Sequence, residues 1–159
     1  MSKVRVKPRS WQYANSVNWT DGKRGILSAA GKPDLSVATP PDFGGHEGVW
    51  SPEDMFVAAV NCCIMTTFLY YRGKENFDLV SYSSVAEGTL HYGEEGLAFT
   101  VVKVKPTVAV ASESDIEKAE RAIQRAESAC LVSQSVRSDI IIEAQVQLTP
   151  GQDSGPQAS

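Results

Sequence analysis

The pattern of apolar and polar positions divides the chain into short strands, two helices and the turns between them. Val4 and Val6 alternate with Lys3, Arg5 and Lys7, which predicts a half-buried edge strand with a charged outer face. Short β-like runs follow at Tyr13–Trp19, Ile26–Ala30 and Leu35–Ala38, separated by Asp21-Gly22 and Gly31-Lys32-Pro33. They read as antiparallel hairpins. Pro40-Pro41 and Phe43-Gly44-Gly45-His46-Glu47-Gly48 fit no regular element and form an irregular loop. That loop leads to a helix start at Ser51-Pro52-Glu53-Asp54, which supplies a hydroxyl cap, a first-turn proline and an acid three residues after the cap. The helix, predicted to run to Tyr71, carries Phe56, Val60, Cys62, Cys63, Ile64, Met65, Phe68 and Leu69 on every side. A helix apolar all round is expected to be buried, here as the central element of the core.

After Gly73, Leu79–Tyr92 and Leu97–Val110 predict two long strands joined at Gly93-Glu94-Glu95-Gly96. Ser112 and Asp115 predict a second capping box, and Ile116, Ala119, Ile123, Ala126 and Cys130 recur at helical spacing. This amphipathic helix is expected to bring Cys130 onto its buried face, and Ile140–Leu148 to close the domain as one strand. Grouped strands, a helix, a hairpin, a helix and a strand give an α+β class rather than βαβ repeats. Residues 1–148 read as a single domain, and 149–159 (TPGQDSGPQAS) as a disordered tail.

Composition narrows the function. The chain has 159 residues, 42% of them hydrophobic and 21% charged, which suits one folded domain. A net charge of −4 argues against a general nucleic-acid partner. The basic start is followed by no apolar segment, and Met55–Tyr71 is interrupted by Asn61, Thr66 and Thr67. Neither a signal peptide nor a membrane span is expected, and the cytoplasm is the expected location. The 3 cysteines form no C-x-x-C pair, so free thiols in a reducing compartment are expected.

Sulfur within apolar sequence is the main chemical signal. A cysteine in an apolar helix is ordinarily small core filler with a raised pKa, and becomes a nucleophile only where its thiolate is favoured. On the residues alone both readings stand for Cys62 and Cys63. Adjacent helical positions point about 100° apart, so these two are not expected to serve one site. His46 and His91 have no second ligand at helical or hairpin spacing, so no metal is expected, and no serine sits in a G-x-S-x-G elbow.

The stretch Ser51-Pro52-Glu53-Asp54-Met55-Phe56-Val57-Ala58-Ala59-Val60-Asn61-Cys62-Cys63, followed by Cys130-Leu131-Val132-Ser133, resembles the OsmC/Ohr family of thiol peroxidases. Trp19 with Lys23-Arg24-Gly25 is similar to that family's early strand. The resemblance covers roughly Val17–Leu148. It implies that Cys63 is the peroxidatic cysteine, Cys130 the resolving cysteine, Glu53 the acid of the proline-acid pair and Arg24 the functional arginine. Leu131 departs from the proline that commonly follows the resolving cysteine.

The implied fold is an intertwined homodimer, with antiparallel sheets wrapped around central helices and sites at the subunit interface. The implied activity is reduction of organic hydroperoxides or hydrogen peroxide, with no cofactor and an external dithiol as reductant. On that reading a guanidinium near Cys63 would favour its thiolate, and Glu53 could hold the guanidinium by paired hydrogen bonds. Phe56, Met65 and Phe68 would serve either as an apolar pocket or simply as core. The alternative is a non-catalytic dimer of the same fold that binds a small hydrophobic ligand or partner through that cleft. A hydrolase using Cys63 finds no base, since neither histidine is placed beside it by any motif.

Overall fold

The computed structural model describes residues 9–149. The expected edge strand around Val4 and Val6, and all but the first residue of the expected tail, lie outside the described residues. The chain groups into two compact units, one ending at Asp54 and the other beginning at Met55.

In the first unit β1 (Ser16–Trp19), β2 (Arg24–Ser28) and β3 (Leu35–Ala38) form an antiparallel sheet in the order β1-β2-β3. The β1–β2 turn is tied by Arg24 N–H donating to Asp21 O at 2.8 Å and by Trp19 Nε1 donating to Gly22 O at 3.0 Å. The Pro/Gly-rich loop holds a short 3-10 turn, Pro41–Phe43. It then folds so tightly that a Cβ on Gly45 would overlap the Thr39 carbonyl. At the helix start the capping box is complete. Asp54 N–H donates to Ser51 Oγ at 3.1 Å, while Ser51 N–H and Oγ donate to Asp54 Oδ2 at 2.9 and 2.8 Å.

Helix α1 (Pro52–Glu75) runs four residues beyond the predicted end at Tyr71. By length and composition it could cross a membrane, but Val60, Ile64 and Phe68, spaced four apart, are buried in two clusters of the second unit. The expectation of burial all round is therefore corrected: Leu69 and Tyr70 remain exposed, as does Cys62. Periodicity reports how much apolar surface a helix carries, not how much of it one chain can cover.

The second unit is built on β4 (Leu79–Gly93) and β5 (Gly96–Val110), an antiparallel hairpin within a residue of its predicted bounds. β5 is the central strand, and Val102, Val104, Val108 and Val110 present one fully buried face. Val102 and Val104 pack with Val60, Ile64 and Cys130, while Val108 and Val110 pack with Phe68, Phe77 and the apolar stripe of α2 (Glu113–Ala129). α1 approaches β4 so closely that a Cβ on Gly88 would fall 2.5 Å from Val57 Cγ2. The predicted second capping box does not form. Ser112 makes no side-chain cap, and the Asp115 carboxylate instead accepts from Asp78 N–H at 3.4 Å and Lys118 Nζ at 2.8 Å.

The closing strand is two strands, β6 (Asp139–Ile142) and β7 (Gln145–Leu148), both parallel to β5. The sheet is therefore mixed, and one helical crossover links β5 to β6. Register is unchanged across the gap, with Val104 opposite Ile142 and Thr107 opposite Gln145. Glu143 N–H still donates to Val104 O at 2.9 Å, but the next ladder bond calls for an N–H from Pro106, which has none. A proline in the partner strand thus splits an otherwise continuous edge.

Candidate active site

Within the second unit the structure brings Cys63 and Cys130 together. Cys63 lies on α1 between the buried positions Val60 and Ile64 and is half-buried, while Cys130 is wholly buried in the same cluster. Cys130 ends α2 and caps α3 (Leu131–Ser135): its N–H donates to Ala126 O at 3.0 Å, and its sulfur accepts from Ser133 N–H at 3.5 Å. The chain is extended at this junction, with φ −64° and ψ 116° at Cys130, so the first amides of α3 are free of helical partners.

Those amides serve Cys63. Burial acts against its thiolate, but the Cys130 thiol, the Val132 N–H, the Thr67 hydroxyl and the Leu131 N–H together outweigh it and hold Cys63 below the ordinary thiol value. Thr67 Oγ1 lies 3.9 Å from Cys63 Sγ, one helical turn on. Cys130 is shifted the opposite way, first by burial and then by the hydrogen bond it gives to Cys63. The two sulfurs are thus an unequal pair, the Cys63 thiol shifted down and the Cys130 thiol shifted up. Cys62, its neighbour in sequence, is exposed.

The predicted Arg24 and Glu53 belong to the first unit. Arg24 opens β2, and its Nη2 lies 3.2 Å from His46 Nδ1. Among the described residues no ion pair joins Arg24 to Glu53. Glu53 Oε2 is buried with no hydrogen-bond partner among the described residues. His46, which the sequence left without a role, is therefore the partner of Arg24. No cluster of potential metal ligands occurs among the described residues.

The structure separates two of the three apolar candidates, Phe56 and Phe68. Phe68 belongs to the core with Phe77 and Val108 rather than to an opening. Phe56 stacks on Phe99, with ring centroids 4.7 Å apart, and these rings line a cavity of about 500 Å³ with Thr100, Arg137 and Ser138. Thr67, Ser133 and the α3 amides are site components that sequence reasoning missed. Two signals were available: Thr67 stands four residues after Cys63, and Ser133 follows Cys130 at cap spacing.

Chemically, a thiolate at the surface of a packed cluster, backed by N–H donors and touching a second thiol, can attack an electrophile and be released by disulfide formation. The chain is similar in sequence and fold to known proteins. Peroxiredoxin OsmC of Escherichia coli is 29% identical over 104 residues, which are 65% of this chain and 71% of that protein. An OsmC-like protein of Vibrio cholerae has the same fold, with a TM-score of 0.79 at 21% identity, covering 86% of this chain and 100% of the other. An organic hydroperoxide resistance protein of Elizabethkingia anophelis follows at a TM-score of 0.68 and 19% identity, covering 89% and 100%. The model of the OsmC-like protein family matches residues 45–145, more than half of the chain, and the chain belongs to that family.

Proposed function

We propose that this chain is a thiol-dependent peroxidase that reduces organic hydroperoxides or hydrogen peroxide, with Cys63 as peroxidatic and Cys130 as resolving cysteine. The observation that carries the reading is the unequal pair: a half-buried Cys63 packed against the cluster that holds the buried Cys130, with the first thiol shifted down and the second shifted up. The Cys63 thiolate attacks the terminal peroxide oxygen, the O–O bond breaks, and the departing alkoxide, or hydroxide from hydrogen peroxide, takes up the proton that Cys63 released and leaves as an alcohol or water. Cys63 becomes a sulfenic acid. Cys130 then displaces its hydroxyl as water, closing a disulfide and protecting Cys63 from over-oxidation. An external dithiol returns both thiols by exchange and is itself oxidised.

The family resemblance supplies the remaining roles in this reading. Arg24 stabilises the thiolate and the developing oxyanion, and Glu53, whose buried oxygen lacks a partner among the described residues, orients a guanidinium. A homodimer formed in the cytoplasm completes the proposal, and the exposed Leu69 and Tyr70 of α1 support a partner surface.

The test is hydroperoxide consumption with a dithiol reductant, comparing wild type with Cys63→Ser and Cys130→Ser, together with a thiol count after one equivalent of peroxide. Loss of turnover in Cys63→Ser and loss of two thiols in the wild type are expected. Turnover that survives Cys63→Ser defeats the proposal, and unreacted thiols with stoichiometric binding of a hydrophobic ligand favour the non-catalytic alternative.

A further inference from the structure

Ser133 stands three residues after Cys130, and two of its groups face that sulfur. Its N–H donates to Cys130 Sγ at 3.5 Å, and its hydroxyl lies beside the same atom. Ser133 Oγ is shut off from solvent and completes no hydrogen bond among the described residues. A thiol sulfur is a weak acceptor and a thiolate a strong one. The buried hydroxyl is therefore short of an acceptor while Cys130 is a thiol, and gains one when Cys130 ionises.

The surroundings decide when that happens. The cluster around Cys130 is built from Val60 and Ile64 of α1, Val102 and Val104 of β5, Ile140 of β6 and Val132 of α3, all apolar. Cys63 packs against the same cluster. While Cys63 is a thiolate, a second negative charge beside it is disfavoured, and Cys130 gives its hydrogen to Cys63. Once Cys63 is a neutral sulfenic acid, that repulsion is gone.

We propose that Ser133, through its hydroxyl and its N–H, stabilises the Cys130 thiolate after Cys63 has been oxidised, and so times the resolving attack. This rests on the peroxidase reading above. The Cys130 electron pair forms the S–S bond as the Cys63 S–O bond breaks, and the departing hydroxide takes up the proton that Cys130 released, giving water.

Rapid mixing with cumene hydroperoxide, acid quenching and mass spectrometry separate the two steps in wild type, Ser133→Ala and Ser133→Thr. Oxidation of Cys63 at the wild-type rate is expected in all three. Disulfide formation is expected to slow about tenfold in Ser133→Ala, the change that about 1.4 kcal/mol makes in a rate. Its pH midpoint should rise, Cys63 sulfinic acid should accumulate, and Ser133→Thr should restore the rate. Disulfide formation in Ser133→Ala at the wild-type rate and midpoint overturns the role of Ser133 while leaving the peroxidase reading intact. Equal slowing of both steps without rescue by threonine shows a packing role and also overturns it. Failure of peroxide to oxidise Cys63 in the wild type defeats the peroxidase reading itself, and this inference with it.

Discussion

Replacing Thr67 by valine tests how far side-chain donors set the reactivity of Cys63. The two side chains have the same branched shape, so the substitution removes a hydroxyl and little else, and stability is expected to stay within about 0.5 kcal/mol. The hydroxyl lies 3.9 Å from Cys63 Sγ, at the long end for a sulfur hydrogen bond, and acts with two backbone amides and the Cys130 thiol. A well-formed hydrogen bond to a charged group contributes about 1.5–3 kcal/mol. At this length a third of that, about 0.5–1 kcal/mol, is a reasonable share, equivalent to roughly two- to fivefold in rate. The assay is the pH dependence of Cys63 alkylation by iodoacetamide, with peptide mapping to separate Cys63 from Cys62. The variant should react more slowly below the thiol midpoint and converge on wild type well above it, where the thiolate is complete in both. Thr67→Ser should behave as wild type. An unchanged rate at every pH would refute the reasoning, and a deficit that persists undiminished at high pH would show that Thr67 governs access instead.

Two further outcomes probe the scaffold. Gly88→Ala should lower stability by about 1–3 kcal/mol by forcing Val57 and Phe99 away from β4, and a wild-type urea midpoint would show that α1 is not seated on that strand. Asp115 is held below the usual carboxylate value chiefly by the Lys118 ammonium, against its burial, with Ser112 and the Asp78 N–H assisting. A lowered folded value means stability that is present above the unfolded carboxylate's titration near pH ~3.9 and lost as pH falls through the folded value. Urea midpoints measured from neutral to acid pH should therefore fall more steeply in wild type than in Asp115→Asn. Parallel curves would remove Asp115 from the acid limb.

Legibility in the sequence followed the range of the interaction. The Ser51/Asp54 box and the β4–β5 hairpin are local, and the residues that form them are adjacent in sequence, so pattern and structure agree. Ser112 carried the same local signal, but Asp115 N–H donates to the Ser112 carbonyl at 3.1 Å and the Ser112 hydroxyl lies 3.0 Å from Ser114 Oγ, so the reciprocal pair does not close. The split between β6 and β7 depends on Pro106 in another strand, which no window around Ile140–Leu148 contains. Cys63 and Cys130 were joined by resemblance alone, since spacing along the chain does not say which helix ends meet. Leu131, where the resemblance implied a proline, keeps its backbone N–H, the smallest of the influences that lower the Cys63 thiol. Arg24 was legible as a candidate, but its His46 partner emerged only from the folding of a glycine-rich loop.

The interruption opposite Pro106 also bears on self-association. An exposed strand edge is a template on which another chain can add by hydrogen bonding, and proline and charge are common defences against it. In this unit β6 and β7 form one edge of the sheet, broken into four-residue pieces, with the Lys103–Glu143 ion pair (3.0 Å) beside the break. An incoming strand would meet neither a long ladder nor an uncharged one. The opposite edge, β4, runs 15 residues and carries exposed Val80 and Val85, so resistance to fibrillar stacking is built into one border of the sheet and depends on cover at the other.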